Sequence, residues 1–383
     1  MNSTKRKICL IVLTVMLLAI ALSTLSACKL PDLNKAKNVH KDGLYYTVYA
    51  LKRYVILHGF DVKDGTQVYE IPSRIKHGAV RYPVTSFSPS NHDHSFYTFD
   101  IVKGGNAKEL IVPKTVEKLD IFSYNGKQQD SLEKITVDEG NPYFTDIDGV
   151  VYTKDQTTLV YYPPAKVSER LTIPQATTKL KDSLGIKTQL SYISVAAGNT
   201  AFSAKDGVLL NADGSAIVCY PQNKQDETYT IPSTLAVLSE SHLISNKYLK
   251  YFEVEQGNSS FSAYKGNVYS QDGSILLYRQ YHEDVNVLDL PDTVKILSNG
   301  TLAGIKCLYV PKGLERIVFN KYGYSYDYYD ENSENPISKV DYLFFEGDEI
   351  PFCLRYAELT ENVRFGVTRQ EFEQFEQQFN KGE

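Results

Sequence analysis

Residues 132–174 read LEKITVDEGNPYFTDIDGVVYTKDQTTLVYYPPAKVSERLTIP and are the first of three copies of one pattern. The copies restart at Leu190 and Leu249, 58 and then 59 residues further along the chain, with their Gly-Asn and Tyr landmarks in register. A fixed period of this size is typical of repeat architectures, in which each repeat packs against its neighbours. The stretch therefore predicts that the chain is built from stacked repeats.

Two short strand signatures recur within each copy. The first ends at a proline, which cannot donate a hydrogen bond to a sheet and so marks the end of a strand. These prolines are Pro72, Pro113, Pro174, Pro232, Pro291 and Pro311. The second signature, L-x-x-I-x-V, follows about 20 residues later, as in leucine-rich repeats. Its apolar positions are Leu132, Ile135 and Val137; Leu190, Ile193 and Val195; Leu249, Phe252 and Val254; and, after a longer gap, Leu314, Ile317 and Phe319.

Two further regularities accompany these signatures. An apolar or small residue occupies the third and sixth positions after four of the prolines, which predicts a turn that folds back onto the core. The pairs are Val116 and Leu119, Thr177 and Leu180, Leu235 and Leu238, and Val294 and Leu297. An asparagine follows the second signature at Asn141, Asn199 and Asn258. The spacing is within the range of leucine-rich repeats, so each copy is predicted to contain two rungs.

The segment between Asn141 and Pro163 has a pattern of its own. Two apolar runs flank Asp155, and the later copies have Asp213-Gly214 and Asp272-Gly273 at this point. Asp-Gly readily supplies the positive φ angles of a tight primed turn. We therefore expect a β-hairpin that projects from the repeat stack, and we expect function there because stability would not require it.

Taken together, the Gly-Asn, DGVVY, hairpin, TIP and L-x-x-I-x-V series over residues 42–365 resembles the BspA-like bacterial leucine-rich-repeat family. The resemblance implies a mostly-β fold, a right-handed leucine-rich-repeat solenoid with short parallel strands over residues 42–366, and surface binding or adhesion as its role. One departure is that the Ala-Phe pair common before the second signature is absent, the nearest positions being Ser183-Leu184 and Leu243-Ile244.

The N-terminus predicts export. Residues 1–27 carry Lys5, Arg6 and Lys7 and then an uncharged apolar run, which is typical of a signal peptide, although a run of this length also suits a spanning helix. Leu25-Ser26-Ala27-Cys28 resembles the bacterial lipoprotein signal. That resemblance implies cleavage between Ala27 and Cys28, a lipid on the Cys28 sulfur and a tether over residues 28–41. The protein would then be anchored to the outer face of a bacterial cell membrane.

The C-terminal part predicts two last strands, near residues 340–345 and 362–365, and a helix. Thr368 with Glu371 three residues later forms a capping box, and Phe372, Phe375 and Phe379 fall on one helical face. We expect this capping helix, within residues 367–383, to cover the open end of the solenoid. Between these elements lies a Tyr-rich insertion, which is either a sticky binding patch or a polar loop. Its candidate binding residues are Tyr322, Tyr324, Tyr326, Tyr328 and Tyr329.

Few residues suggest chemistry. Cys219, Cys307 and Cys353 lie in apolar settings and are predicted to be buried thiols rather than disulfides or zinc ligands. The sequence His92-Asp93-His94 lacks further ligands nearby, and the segment from Asp146 to Gly149 is better explained as a turn than as a calcium loop. With no nucleophile or nucleotide motif, we expect neither an enzyme nor a cofactor.

The net charge of the chain limits the classes of partner that it could bind. Without the three basic residues of the signal, 38 basic residues stand against 46 acidic ones, which argues against nucleic acid. Two classes of function remain. The first and favoured one is a monomeric, lipid-anchored recognition or adhesion protein that binds an extracellular protein or glycan through the solenoid face and the hairpins. The second is an accessory envelope lipoprotein that scaffolds a complex.

Overall fold

The computed structural model describes residues 36–61, 63, 65–89, 107–121, 131–181, 184, 188–238, 246–318, 336–355 and 359–381. Ala27, Cys28, residues 92–94 and the Tyr-rich insertion lie outside these ranges. The chain divides into two compact units, which are Met1–Gly105 with Pro113–Lys127 (unit 1) and Asn106–Val112 with Gln128–Glu383 (unit 2). The single solenoid over residues 42–366 therefore stays a prediction.

Unit 1 is built on a sheet of Tyr-rich and Val-rich strands. The strands of this unit are β1 (Lys37–Lys41), β2 (Leu44–Tyr49), β3 (Tyr54–Phe60), β4 (Val68–Glu70), β5 (Arg74–His77), β6 (Val80–Phe87) and β8 (Lys118–Leu119), and all of them except β4 belong to the sheet. β1, β2 and β3 form an antiparallel meander, and β3 and β8 each pair in parallel with β6. The core of this sheet includes Tyr46, Val55, Leu57, Val84 and Phe87, which are nearly or completely buried.

Unit 2 contains the three sequence repeats. Its first strands are β7 (Glu109–Val112), β9 (Lys134–Val137), β10 (Phe144–Ile147), β11 (Val150–Thr153), β12 (Thr158–Tyr161), β13 (Arg170–Ile173), β14 (Lys179–Leu180), β15 (Tyr192–Val195), β16 (Phe202–Lys205), β17 (Val208–Asn211) and β18 (Ile217–Cys219). The later strands are β19 (Thr228–Ile231), β20 (Tyr251–Val254), β21 (Phe261–Tyr264), β22 (Asn267–Ser270), β23 (Ile275–Tyr278), β24 (Val287–Asp289), β25 (Ile296–Ser298), β26 (Cys307–Val310), β27 (Arg316–Val318), β28 (Tyr342–Phe345) and β29 (Asn362–Arg364). The mostly-β character predicted from the sequence is confirmed.

The two strand signatures of the sequence pair with each other. β13, which ends before Pro174, runs parallel to β15 with Leu171 opposite Ile193, and β19 runs parallel to β20 with Tyr229 opposite Phe252. β7 and β9 form the same ladder one copy earlier, and β24, β26, β28 and β29 form a longer one. Because side chains alternate along a strand, each ladder has one face in the core and one facing outward.

The asparagines after the second signature hold neighbouring turns together. The Asn199 side-chain NH₂ group donates to the carbonyl oxygens of Pro174 and Thr177, both at 2.8 Å. Its side-chain oxygen accepts from the backbone N–H groups of Ala201 and Phe202. Asn258 makes the equivalent bonds to Pro232 and Leu235. These side chains satisfy backbone groups that the short strands leave unpaired.

The predicted hairpins are three-stranded meanders. β10 pairs with β11 and β11 with β12, all antiparallel, and β16–β18 and β21–β23 repeat the arrangement. The primed turn is at Asp148-Gly149, where both φ angles are positive (50° and 78°), whereas at Asp213-Gly214 only the glycine has a positive φ. The sequence analysis therefore missed one strand per meander and placed the primed turn at the wrong dipeptide.

These meanders do not project freely. Val150, Tyr152, Leu159 and Tyr162 belong to one core cluster with Leu171, Ile173, Leu190 and Ile193 of the parallel ladder. β12 also pairs in parallel with β14, which follows Pro174, so the segment after this proline joins the meander to the rest of the repeat. The expectation that stability does not need the hairpins is wrong, because their apolar residues belong to the same core clusters as the parallel ladders.

The fourth assignment of the second signature is also wrong. β27 pairs with β25 through Ile317 and Leu297, so Leu314 and Ile317 occupy the third and sixth positions after Pro311. The strand that pairs as a second signature is β26, which runs parallel to β24. β26 was overlooked because it also ends at a proline and therefore carries the mark of the first signature. Phe319 lies outside the described residues.

The predicted final strands are β28 and β29, and the predicted helix is α1 (Arg369–Phe379). Its capping box is confirmed, since the Thr368 side chain accepts from the Glu371 N–H and the Glu371 carboxylate accepts from the Thr368 N–H. The sequence placed this helix over the end of the repeats. Its contacts lie instead on the outward face of β26 and β28, where Phe372 and Phe375 meet Tyr309, Tyr342 and Phe344.

Candidate binding surface

The outward face of two parallel ladders is open to solvent. It consists of the side chains that point away from the core on β13, β15, β19 and β20, and we call it the open face. Its residues are Arg170, Thr172, Tyr192, Ser194, Thr228, Thr230, Tyr251 and Glu253. Two tyrosines dominate it, since Tyr192 is 36% exposed and Tyr251 is 40% exposed, and both occupy the same position of their repeats. The open face is therefore aromatic and hydroxyl-rich.

A glycine of the meander turn holds each of these rings in place. A Cβ atom on Gly207 would lie 2.6 Å from Cδ2 of Tyr192, and one on Gly266 would lie 2.5 Å from Cδ1 of Tyr251. Both glycines also have φ angles near +78°, a conformation in which other residues are strained. The ring and the glycine thus form one packing unit. The first repeat uses Lys134 over Gly149 in the same way.

Polar neighbours surround the rings. The Arg170 guanidinium lies 4.5 Å from the centre of the Tyr192 ring, a cation–π distance. The Thr172 and Ser194 hydroxyls are 2.9 Å apart across the β13–β15 ladder. Aromatic faces combined with hydroxyl and charged groups are what binding surfaces use for both proteins and sugars.

A pocket of about 480 Å³ opens beside Tyr251, and we call it the Tyr251 pocket. Three elements form its walls: β20 with Tyr251 and Glu253, the turn from Lys265 to Asn267, and the segment Asp284–Val287 that leads into β24. Glu376 of α1 and Asn380, which follows the last residue of that helix, close the remaining side. The lining is mostly polar, with carboxylate, amide and hydroxyl groups around one half-exposed aromatic ring.

A buried charge network supports one wall of the pocket. The Asp289 side chain is 1% exposed and forms ion pairs with Arg369 and with Lys265, whose Nζ lies 2.6 Å from Asp289 Oδ2. Lys265 Nζ also lies 3.4 Å from Glu376 Oε2. Burial lowers the pKa of Lys265, but the Asp289 and Glu376 carboxylates outweigh it, so the pKa is raised and the ammonium stays charged. The network fixes α1 against the turn that carries Lys265.

An equivalent pocket of about 450 Å³ lies in the first repeat. Lys134 and Thr136 of β9, the turn at Asp148-Gly149 and the loop with Lys166 form it. The Lys166 side chain is 8% exposed, and its Nζ donates to Asp148 Oδ2 at 2.7 Å. The same elements thus form a pocket in two repeats, but lysine replaces the tyrosine in the earlier one. A ligand that needs an aromatic platform would distinguish the two.

The outward face of β24, β26 and β28 differs because α1 covers it. Ring centres are 5.0 Å apart for Tyr309 and Phe372 and 4.7 Å apart for Phe344 and Phe375. Cys307 lies beneath the same helix, where burial, with a contribution from Glu376, raises the pKa of its thiol to about 12. A thiol with this pKa is protonated and unreactive at neutral pH.

The remaining sequence predictions have mixed outcomes. Cys219 and Cys307 are buried thiols, as expected, and Cys353 is partly buried. The Asp146 carboxylate accepts from the Val137 N–H at 2.8 Å, which suits a turn rather than a calcium loop. Among the described residues no cluster of three or more His, Cys, Asp or Glu could hold a metal ion. Within those same ranges no helix is long and apolar enough to cross a membrane.

The sequence analysis named the solenoid face as a binding surface but did not identify the residues of the open face. The five tyrosines that it named as candidate binding residues lie outside the described residues, whereas it did not single out Tyr192 and Tyr251. The signal was present, since both residues immediately precede the buried fourth position of the L-x-x-I-x-V signature and must point the opposite way.

Comparison with solved structures finds leucine-rich-repeat proteins of bacteria. The pneumococcal vaccine antigen PcpA is 14% identical with a TM-score of 0.41, and the match covers 87% of this chain and 99% of that one. A leucine-rich cell surface protein from Faecalibacterium prausnitzii is 13% identical with a TM-score of 0.34, covering 88% and 97%. A leucine-rich-repeat protein from Eubacterium ventriosum is 15% identical with a TM-score of 0.34, covering 85% of each chain.

No family model matches the sequence, and no curated protein matches it either. Identities and TM-scores this low do not transfer a function, so the role of this chain has to be inferred from its own surface.

Proposed function

We propose that this protein is an exported, lipid-anchored recognition protein that binds an extracellular protein or glycan through the open face and the Tyr251 pocket. The observation that carries the proposal is the pairing of two half-exposed tyrosines, at equivalent repeat positions, with a polar pocket of about 480 Å³. Tyrosine gives a large contact area at low entropy cost, which favours its use in recognition.

The proposal includes the architecture. The parallel ladders join residues 22 and 23 positions apart, as at Thr172 with Ser194 and Thr230 with Glu253. This offset supports rungs of leucine-rich-repeat length. We infer a right-handed solenoid in which the meanders form one wall of each repeat and the short parallel strands form the other.

Anchoring rests on the sequence of residues 1–28. Cleavage after Ala27 and lipidation of Cys28 would leave the chain attached to the outer face of the cell membrane. Replacing Cys28 with serine tests this directly. The Cys28→Ser variant should leave the membrane fraction and lose labelling by radioactive palmitate. A variant that stays in the membrane uncleaved would show that residues 8–27 are a spanning anchor instead.

The binding site is tested on the purified Cys28→Ser protein with arrays of matrix proteins and glycans. We expect Tyr251→Ala to weaken binding about 30-fold, the loss for a contact residue worth about 2 kcal/mol. Tyr143→Ala is the matched control, because Tyr143 is 44% exposed but lies between Asn141 and β10, not on the strands that form the open face. An equal loss of affinity in both variants would show that the Tyr251 pocket is not part of the binding site. A protein that bound to no array would contradict the recognition function.

The Tyr-rich insertion stays a separate candidate. Deleting residues 320–336 tests Tyr322, Tyr324, Tyr326, Tyr328 and Tyr329 together. A further loss of affinity would assign the insertion to the binding surface. Unchanged affinity, with Tyr251→Ala still defective, would identify it as a polar insertion and leave the open face as the site.

A further inference from the structure

Among the described residues of unit 1, the large apolar side chain with the greatest exposure lies in the turn between β2 and β3. Leu51 is 56% exposed, and the neighbouring Lys52 and Arg53 are also exposed. Tyr49 and Tyr54 form the base of the turn, with ring centres 4.8 Å apart and planes 21° from parallel. The turn therefore presents a leucine and two cations above a pair of stacked tyrosine rings.

The chain enters unit 1 at this same end of the sheet. Lys37, the first residue of β1, lies opposite Val48, one residue before Tyr49. The first described residue, Ala36, is eight positions after Cys28. Eight residues span at most about 29 Å when fully extended. A lipid on Cys28 would therefore keep this end of the sheet close to the membrane surface.

Charges are separated along the sheet. Lys37, Lys52 and Arg53 lie at the end where the chain enters. The other end carries Asp42 and Asp61 as well as Lys41, whose Nζ lies 3.9 Å from Asp42 Oδ2, and Asp61 pairs with His40 at 2.9 Å. A basic end close to the anchor is complementary to the anionic surface of a bacterial membrane, because juxtamembrane Lys and Arg are attracted to anionic headgroups.

We propose that the tip of the β2–β3 turn, formed by Leu51, Lys52 and Arg53 with Lys37 beside it, contacts the anionic lipid surface that holds Cys28. This contact rests on the lipid anchor of the proposed function. Leu51 enters the interfacial layer, the three cations meet lipid phosphates, and the tyrosine pair sits at headgroup level, where such rings are enriched. The contact orients unit 1 on the membrane, which a lipid on Cys28 alone would not do.

The absence of tryptophan from the sequence gives a clean probe. The full lipidated chain carrying Leu51→Trp is reconstituted into phosphatidylglycerol vesicles, and its acylation is verified by mass spectrometry. We expect the indole emission to shift to the blue and brominated lipids to quench it at least twofold. Lys41→Trp is the matched control, because Lys41 is exposed at the opposite end of β1. Its emission should stay at the wavelength of a solvated indole.

Charge is tested in the same system. Lys52→Glu with Arg53→Glu, added to Leu51→Trp, should remove at least half of the quenching. All three positions are exposed, so circular dichroism should be unchanged. A lipidated chain in which Leu51→Trp behaves like Lys41→Trp would overturn the contact while leaving the anchor intact. An unmodified Cys28 would overturn the anchor, and the proposed contact with it.

Discussion

The outward faces of two sets of parallel strands differ in what lies on them. On β13, β15, β19 and β20 the outward residues are open to solvent, whereas on β24, β26 and β28 they are covered by α1. The backbone arrangement is the same in both, since each set is a parallel ladder with its other face in the core. The side chains decide the difference: β13 alternates exposed and buried residues, while all four residues of β26 are buried.

The comparison indicates how one surface carries both stability and function. On the covered face, aromatic residues of the strands pack against the phenylalanines of α1. This packing buries further apolar surface, which stabilises the fold. On the open face, Tyr192 and Tyr251 pack over the glycines of the meander turns and remain partly exposed to solvent. The Tyr251 pocket forms where the two faces meet, because Glu376 of α1 and the C-cap residue Asn380 line it together with Tyr251.

The largest expected effect is on the covered face. Phe372 is fully buried and packs on Tyr309 and Phe344 at ring distances of 5.0 and 5.3 Å. Replacing it with alanine should lower the free energy of unfolding by about 4 kcal/mol, the usual cost for a buried phenylalanine. Chemical denaturation of the Phe372→Ala variant measures this. Phe352→Ala is the control, because Phe352 is 74% exposed; similar values for both would mean that α1 does not hold this face.

The charge network should come next. Asp289→Asn leaves Arg369 and Lys265 without their shared carboxylate, and breaking a buried pair costs about 3 kcal/mol. Asp292 also pairs with Arg369, but its side chain is 72% exposed, so Asp292→Asn is the matched control and should cost less than about 1 kcal/mol. Thermal unfolding of both variants tests the order. If Asp292→Asn were the more harmful, the buried carboxylate would not be what fixes the helix.

The glycine under Tyr251 should have an intermediate effect. Gly266→Ala combines a positive φ with a Cβ that would lie 2.5 Å from the ring, so we expect a loss of about 2 kcal/mol and a displaced ring. Gly257→Ala is the control, because its φ is +89° and nothing lies within 4 Å of the added atom. It should cost about 1 kcal/mol from backbone strain alone. Equal losses would show that Tyr251 yields freely, and the open face would then be less rigid than its packing indicates.

Much of this fold could be predicted from the sequence, since local chemistry determines it. The prolines end strands and Thr368 with Glu371 starts a helix through contacts within a few residues. The asparagines recur at one position of the repeat, but their amides bond to carbonyl groups 25 and 26 residues earlier, as in Asn199 with Pro174 and Asn258 with Pro232. The position of α1 could not be predicted in this way. Phe372, Phe375 and Phe379 show that one helical face is apolar, but not which surface it packs against.

A signal for the covered face was nevertheless present. The runs CLYV at residues 307–310 and YLFF at 342–345 are apolar at every position, which is typical of strands buried on both faces. By contrast, RLTI at 170–173 alternates, as a strand with one open face does. The candidate site is hard to recognise in the sequence for a related reason: the most conspicuous tyrosines are the dense cluster from Tyr322 to Tyr329, whereas Tyr192 and Tyr251 are single residues 59 positions apart.

Acid should loosen the covered face by the smallest amount. The N–H of Thr368, and then its hydroxyl, donate to the Glu371 carboxylate and lower the pKa of Glu371 below its ordinary value of 4.5. A carboxyl whose pKa is lower in the folded state contributes stability that is present above pH 4.5 and is lost as the pH falls through the folded value. Glu371→Gln should therefore lower the melting temperature slightly at pH 6.5 and match the unmodified protein near pH 3. Glu373→Gln, on the same helix but outside the capping box, is the control. A difference between Glu371→Gln and the unmodified protein that persisted unchanged at pH 3 would mean that the cap acts through its hydrogen bonds alone, and that the charge contributes nothing to holding α1 over the strands it covers.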